Sequence, residues 1–434
     1  MGIILANGKF VDQNGQLVQK DMLIEGERIA KIADVIPDAG HTRFDLQGKL
    51  VSAGFFDVHV HFREPGFEAK ETIATGAAAA VRGGFTTVAC MPNTRPPIDT
   101  AEAVRFVKQK AEEAGLARVY PYGTITVRQL GKELTDFAAL KEAGVFAVTD
   151  DGVGVQSSAM MKKAMQAAAE LGLSVVAHCE DDDLLVPGAA LHDGVVAKRH
   201  GLAGIPSESE SIHVGRDILL AEQTGVHYHV CHISAKESVR LVRDGKRAGI
   251  NVTTEVMPHH LLLCDEDIPE TLDANWKMNP PLRSKEDREA LLAGLKDGTI
   301  DIIATDHAPH TAEEKAKGLE RAPFGIVGLE TAFPLLYTHL VLTGELTLQE
   351  LLSKMTEKPA EIFNLPYGRL QEGAIADITV IDLEKEQAID PLTFASKGKN
   401  TPFAGWICKG WPVKTFVAGK LVYEQTDQAT MTSK

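Results

Sequence analysis

The chain alternates between short apolar runs with β-like spacing and longer runs of helical period. The strand candidates are Phe55–His61, Phe85–Cys90, Arg118–Gly123, Val145–Thr149, Ser174–His178, Val226–His232, Ile250–Val256 and Ile300–Thr305. Each is short, rich in β-branched or aromatic residues, and bounded by polar or Gly-containing turns. Helical stretches lie between them, among them Ala101–Ala114, Ala159–Leu171, Ser211–Gln223, Ala235–Arg247 and Lys285–Leu295. Eight strands with intervening helices predict an α/β fold, a (β/α)8 TIM-type barrel over residues 53–364. An open doubly wound sheet is the main alternative. No G-x-G-x-x-G follows an early strand, which weakens a dinucleotide-binding version of it.

The two ends differ in style. Residues 2–48 carry short strands such as Ile3–Leu5, Met22–Ile24 and Ile29–Ile32, and Ala376–Ile381 and Val413–Val422 return to that pattern. They predict one small β domain built from residues 1–52 and 365–434, which the barrel interrupts. There are no internal repeats, low-complexity segments or long linkers.

Composition narrows the class. The 434 residues are 44% hydrophobic and 24% charged, as in soluble globular proteins. The net charge of -15 argues against a non-specific nucleic-acid binder. No basic region followed by a long apolar segment opens the chain, and no apolar run is long enough to span a bilayer. The five scattered cysteines read as reduced thiols, so a cytoplasmic protein is expected.

Candidate chemistry gathers where the strands end. Asp57-Val58-His59-Val60-His61-Phe62-Arg63 closes the first strand. In a strand, His59, His61 and Arg63 share one face. Two adjacent imidazoles can hold one divalent metal ion, and a guanidinium beside them can hold a substrate carboxylate. Asn93 follows strand two, Asp150 and Asp151 strand four, His178 ends strand five, His232 strand six, and Asp306, His307 and His310 follow strand eight. Four histidines and two carboxylates suffice for two zinc-like ions sharing a bridging carboxylate. Two choices stay open. His227, His229 and Cys231 share one face by period two and His232 has the other parity, so His229 competes with His232. Asp150 competes with Asp151. Cys179 reads as a packing thiol, and His259 and His260 as structural.

With these motifs in view, the chain resembles the dihydroorotases of the amidohydrolase superfamily, in particular the longer class I type. The resemblance rests on Asp57–Gly66, on Met91-Pro92-Asn93, and on Met278-Asn279-Pro280-Pro281-Leu282-Arg283. It rests also on Ala304-Thr305-Asp306-His307-Ala308-Pro309-His310 with Lys315 five residues on. It implies a zinc enzyme of pyrimidine biosynthesis that interconverts N-carbamoyl-L-aspartate and L-dihydroorotate. His59, His61 and Asp306 would bind one metal, and His178 and His232 a second. Val148-Thr149-Asp150-Asp151-Gly152 offers no bridging lysine, so Asp151 takes that place, as in class I. Arg63, Asn93 and His310 would hold the substrate carboxylate, and Asn279 the ring amide edge. A metal-activated hydroxide would be the nucleophile and Asp306 the proton shuttle. One or two zinc ions are expected, two favoured, with manganese or cobalt able to substitute. The family also implies a homodimer and, in some class I members, a complex with aspartate transcarbamoylase.

Other readings require different residues. A dihydropyrimidinase, hydantoinase or allantoinase shares the H-x-H barrel, but its substrates lack the ring carboxylate. A silent scaffold would have lost metal ligands, and none is lost here. Thr311–Phe324, rich in Glu, Lys and Gly, is expected either to cover the mouth as a mobile loop or to be an ordinary solvated one.

Overall fold

The apolar runs of the middle of the chain pair in parallel, and their pairing closes on itself. The computed structural model describes residues 2–425. Phe55–Val60, Phe85–Cys90 and Arg118–Pro121 form a three-stranded parallel sheet. Ala147–Val148, Ser174–Ala177, Tyr228–Val230, Val252–Val256 and Ile302–Ile303 form a five-stranded one in chain order. Parallel bridges join the two at both seams, Gly123 with Val148 and Val60 with His307. At the second seam the His61 N–H donates to the His307 carbonyl at 2.8 Å.

Helices lie between successive strands: Ile73–Arg82, Ala101–Ala114, Phe137–Ala143, Ser158–Leu171, Ser207–Thr224, Lys236–Arg247 and Lys285–Asp297. Local signals start and stop them. Ser157 caps Ser158–Leu171 by accepting from the Met160 N–H, and Gly172 ends that helix in the left-handed region. Ile73–Arg82 has no counterpart among the helices expected from sequence. Its Gly-Ala-Ala-Ala-Ala run offers no charged residue to mark an outer face, and a capping box of Thr72 and Thr75 starts it.

Period two sets the layers. Val88, Val175, Tyr228, Val230 and Ile303 face outward and share a core with helix residues such as Val104, Met161, Val214 and Leu291. Phe56, Val58, Ala89, Val176, Cys231 and Ile302 fill the space inside the ring. The paired strands are shorter than the apolar runs. Val145–Thr149 pairs as a strand only over Ala147–Val148, and Ile300–Thr305 only over Ile302–Ile303. After two of the strands the backbone turns into the left-handed region, at His232 (φ 27°) and Asp306 (φ 51°), and leaves the ladder.

The chain ends meet in a second sheet. Its strand order is Lys420–Glu424, Ile407–Val417, Ile378–Ala388, Leu50–Ala53, Ile3–Val11, Leu17–Glu25 and Arg28–Ala33, with Thr42–Asp45 beside Ile3–Val11. These strands run longer than the apolar triplets in the sequence. A register shift between Leu5 and Gly8 and exposed alternate residues hide their length. Leu5, Met22, Ile24, Val51, Ile378, Val380 and Phe416 form the sheet's own core. Among the described residues no helix is long and apolar enough to cross a membrane.

Gly54 is the junction between the two sheets. Its N–H donates to the Asp377 carbonyl at 2.9 Å, between Leu50–Ala53 and Phe55–Val60. A Cβ there would lie 2.2 Å from Thr86 Cγ2 and Oγ1. Thr86 is buried and β-branched, so it has little room to rotate away. Gly54→Ala is therefore expected to cost roughly 1–3 kcal/mol of stability, read as a lowered thermal midpoint. An unchanged midpoint would mean that Thr86 can yield.

Candidate metal centre

The ends of the ring strands bring six predicted side chains to one mouth. His59 Nε2 lies 3.5 Å from Asp151 Oδ1 and 3.4 Å from Asp306 Oδ1. His61 Nε2 lies 2.9 Å from Asp306 Oδ1 and 3.6 Å from Asp151 Oδ2. On the other side of Asp151, His178 Nδ1 and His232 Nε2 stand 3.7 and 3.6 Å from Oδ1 and 3.0 Å from each other. Asp151 thus belongs to two compact groups, one with His59 and His61 and one with His178 and His232. All six residues are buried.

Both choices left open in the sequence have a geometric answer. Asp151 follows the inward parity of Ala147 and points into this cluster. Asp150 faces away and accepts from the Ile125 and Thr126 N–H groups and the Thr126 hydroxyl. His229 does point into the ring, as parity requires, but it meets Thr253 and Glu255. His232 reaches the mouth because its positive φ carries it out of the strand. The account of Arg63 changes in a similar way. The first strand ends at Val60, its register shifts between Asp57 and Val60, and Arg63 sits at φ 63°. Arg63 reaches the mouth through that turn and not by strand alternation. Cys179 packs in the outer core, as a thiol of the opposite parity should.

For three of the four rings the hydrogen-bond partners fix which nitrogen carries a proton. His59 Nδ1 donates to Glu255 Oε1 at 2.6 Å, and His61 Nδ1 donates to Asn93 Oδ1 at 3.0 Å. His178 Nε2 faces Glu180 Oε2 at 3.3 Å. In each case the other nitrogen presents a lone pair to the centre. The His59 Nε2 and Asp151 Oδ1 atoms are buried without a hydrogen-bond partner. The centre is therefore walled by acceptors, a donor set suited to a hard or borderline divalent cation. Electrostatics agree. Burial alone would raise Asp151 and Asp306, yet the facing imidazoles hold both well below the carboxylate range. Burial would lower His59, yet Glu255, Asp151 and Asp306 hold its imidazolium well above the usual value. The cluster demands positive charge, which a metal ion can supply in place of protons.

Glu255 and Glu180 were missed in the sequence. Glu180 also accepts from Asn279 Nδ2 at 3.1 and 3.0 Å, which ties Asn279 to His178. The available signal was an acid inside or just after an apolar strand.

A cavity of about 180 Å³ opens onto the cluster, lined by His61, Arg63, Asn93, Asp151, His178, His232, Asn279, Asp306, Phe324 and Gly325 among others. Arg63 Nε donates to the Pro309 carbonyl at 3.3 Å, and Nη2 lies 3.2 Å from His310 Nε2. His310 is neutral: Nε2 donates to the Phe324 carbonyl at 2.7 Å and Nδ1 accepts from Lys70. Burial, then Arg63 and Lys70, push its imidazolium far down. Burial lowers Arg63 to about 10, and no carboxylate among the described residues pairs with it. His260 donates to the Pro280 carbonyl outside the cavity lining. Thr311–Phe324 begins with the capped turn Ala312–Lys315. Lys315 Nζ is buried against the carbonyls of Ala274, Lys277 and Pro323.

Residues 48–238, which carry five of the six cluster residues, match the family model described as dihydro-orotase-like. A dihydroorotase of Brevibacillus brevis is 74% identical over 424 residues, 98% of this chain and 100% of its own length. A dihydroorotase of Bacillus caldolyticus is 63% identical over 426 residues, 98% of this chain and 99% of its own. Among solved structures, an L-hydantoinase (dihydropyrimidinase) from Arthrobacter aurescens superposes with a TM-score of 0.87 at 28% identity, covering 98% of this chain and 96% of its own. A D-hydantoinase (dihydropyrimidinase) from Thermus sp. gives 0.83 at 27%, over 97% and 95%. The hydantoinases share the fold, whereas the full-length likeness at 74% lies with the dihydroorotases, so this chain belongs to the dihydroorotase family.

Proposed function

We propose that this protein is a dihydroorotase of the class I type, which interconverts N-carbamoyl-L-aspartate and L-dihydroorotate in pyrimidine biosynthesis. Its frame is read as a (β/α)8 barrel over residues 53–364 with a small β domain from 1–52 and 365–434. The closed parallel pairing and the shared terminal sheet support that frame. The observation that carries the substrate is Arg63, a half-buried guanidinium with no carboxylate partner, in the same cavity as the acceptor cluster. A cation partly withdrawn from water in this way favours an anion. A dihydroorotate carboxylate supplies one, and an uncharged hydantoin or dihydropyrimidine ring does not.

In this reading His59, His61 and Asp306 would hold one metal ion, His178 and His232 would hold a second, and Asp151 would be available to either. Zinc suits these donors, and two ions suit the two groups that share Asp151. When bound, the metal polarises the amide carbonyl and acidifies a water. The protein's own groups do the rest. Arg63, helped by Asn93, grips the ring carboxylate through charge-assisted hydrogen bonds and fixes its orientation; His310, expected there too, has both ring nitrogens engaged, by Phe324 and Lys70, and stands behind the guanidinium. Asn279, held by Glu180, meets the ring amide edge. Asp306 takes the proton of the attacking water on its carboxylate and passes it to the departing ring nitrogen. In the reverse direction it removes a proton from the ureido nitrogen as that atom attacks the side-chain carboxyl, and returns it to the carboxyl oxygen whose bond to carbon breaks, so that water leaves.

The deciding experiment measures turnover of L-dihydroorotate beside dihydrouracil, hydantoin and allantoin, before and after metal removal by a chelator. Chelator-sensitive turnover of dihydroorotate alone is expected. Activity confined to the uncharged rings would overturn the substrate. In the same assay Arg63→Met should weaken substrate binding by about 1.5–3 kcal/mol, on the order of 10- to 100-fold in KM. A normal KM would remove Arg63 from the carboxylate. Asp306→Asn is expected to retain metal and lose roughly 10²–10⁴-fold in kcat; undiminished turnover would exclude it as the shuttle. We read Thr311–Phe324 as a wall segment that closes over bound substrate, hinged about the buried Lys315. Proteolysis at Lys317 or Arg321 should then slow when substrate is present, and equal cleavage rates would contradict closure.

A further inference from the structure

A file of hydrogen-bonded side chains runs through the inside of the ring and ends on His59. Ser174 Oγ lies 2.7 Å from His227 Nδ1, His227 Nε2 lies 2.8 Å from Thr253 Oγ1, and Thr253 Oγ1 lies 2.7 Å from His229 Nδ1. His229 Nε2 lies 3.1 Å from Glu255 Oε2, and Glu255 Oε1 lies 2.6 Å from His59 Nδ1. The members come from neighbouring strands in register, since Tyr228–Val230 pairs with Val252–Val256 through His229 opposite Thr253. Rings of parallel strands are ordinarily filled by branched aliphatic side chains. A polar file there is costly unless every member is satisfied.

Satisfaction forces a direction on the file. Glu255 is fully buried and, as a carboxylate, only accepts. His229 therefore donates from Nε2, and a neutral ring then accepts at Nδ1 from the Thr253 hydroxyl. That hydroxyl accepts from His227 Nε2, whose Nδ1 accepts from Ser174. Every donor in the file points toward Glu255. From the opposite side His59 Nδ1 and, at 3.3 Å, the His232 N–H also donate to it. Cys231 Sγ lies within 4.8 Å of the same His59 and Glu255 atoms.

We propose that Glu255, held by the His229–Thr253–His227 file, is a positioning residue for the metal centre. It locks His59 in the Nδ1–H tautomer, aims Nε2 at the cluster, and fixes the His232 backbone that carries a ligand of the other group. A carboxylate behind a ligating imidazole raises the basicity of the free nitrogen and orients the ring. One buried charge thus serves ligands of both metal groups. The inference deepens the proposed function and rests on its metal reading.

The test uses the full chain, with zinc affinity measured by competition against a chelator and with the visible spectrum of the cobalt-substituted protein. Glu255→Gln should weaken zinc binding roughly 10- to 100-fold and alter the cobalt spectrum, while KM for dihydroorotate at saturating metal stays the same and kcat falls. Thr253→Val removes the hydroxyl at near-constant shape and should give a smaller change of the same sign. It carries the test if Glu255→Gln does not fold. Native-like zinc affinity and cobalt spectrum in a folded variant, with only the thermal midpoint lowered, would overturn the proposal and leave a purely structural file. Failure of the wild-type protein to bind zinc or cobalt would instead overturn the metal reading, and this inference with it.

Discussion

Acceptors facing acceptors in a buried cluster is the constraint on which the rest of the structure depends. His59, His61 and His178 turn nitrogen lone pairs toward Asp151 and Asp306 at 2.9–3.7 Å, with His232 Nε2 beside them. In a buried setting such an arrangement is repulsive without positive charge among its members. Their outer nitrogens explain how the fold enforces it. Glu255, Asn93 and Glu180 each engage the far side of a ring, which commits the near side to the centre. Asp57 steadies the same region from below. It accepts from the His59 N–H and from the Thr305 N–H and hydroxyl, coupling the first ring strand to the residue before Asp306.

Closure of the ring is what makes that convergence possible. His59 and Asp306 are separated by most of the chain, yet the first and last strands are neighbours because the pairing circuit closes between Val60 and His307. An open sheet would leave these two strands at opposite edges, and no single cation could touch both. The terminal sheet sits next to this closure. Leu50–Ala53 pairs with Ile378–Ala388 and passes through Gly54 directly into the first ring strand. Asn400, from the C-terminal part of the chain, accepts from the His310 N–H and donates to the Ala308 and Gly325 carbonyls. Both chain ends therefore brace the wall that carries Arg63 and His310.

Much of this was readable in the sequence because it rests on period two. The strand cores and the outward parity of Cys179 follow from alternation alone, whereas alternation leaves Asp150 and Asp151 in competition and only the resemblance favours Asp151. Other features obey rules that alternation does not contain. His232 has the wrong parity and Arg63 lies beyond its strand, and a turn in the backbone corrects each. Ile73–Arg82 is a helix made by a capping box and small residues, without a polar face to announce it. Glu255 carried a signal that was passed over: an acid within Val252-Thr253-Thr254-Glu255-Val256, sharing parity with Thr253 beside the inward histidines of the adjacent strand. A carboxylate in that position must be paired, and the unpaired nitrogens nearby were the place to look.

Three of the ten non-glycine residues at positive φ among the described residues stand at the same mouth. Arg63, His232 and Asp306 all lie at positive φ, at 63°, 27° and 51°, and none is glycine. Such backbones cost of order 1–3 kcal/mol each and persist only when their surroundings over-determine them. Here the surroundings are identifiable. Arg63 is held by the Pro309 carbonyl, His232 by the Glu255 carboxylate at its N–H, and Asp306 by the closing seam on one side and the Asp57–Thr305 contacts on the other. Two of them, His232 and Arg63, are residues that period two alone would not deliver to the centre or to the carboxylate corner, whereas Asp306 keeps the inward parity of Ile302 and Ala304. A regular ladder points side chains alternately in and out, so a mouth needing several neighbouring side chains must break the ladder where it ends. The left-handed turns are that break, and the buried carboxylates around them supply the hydrogen bonds that make it persist.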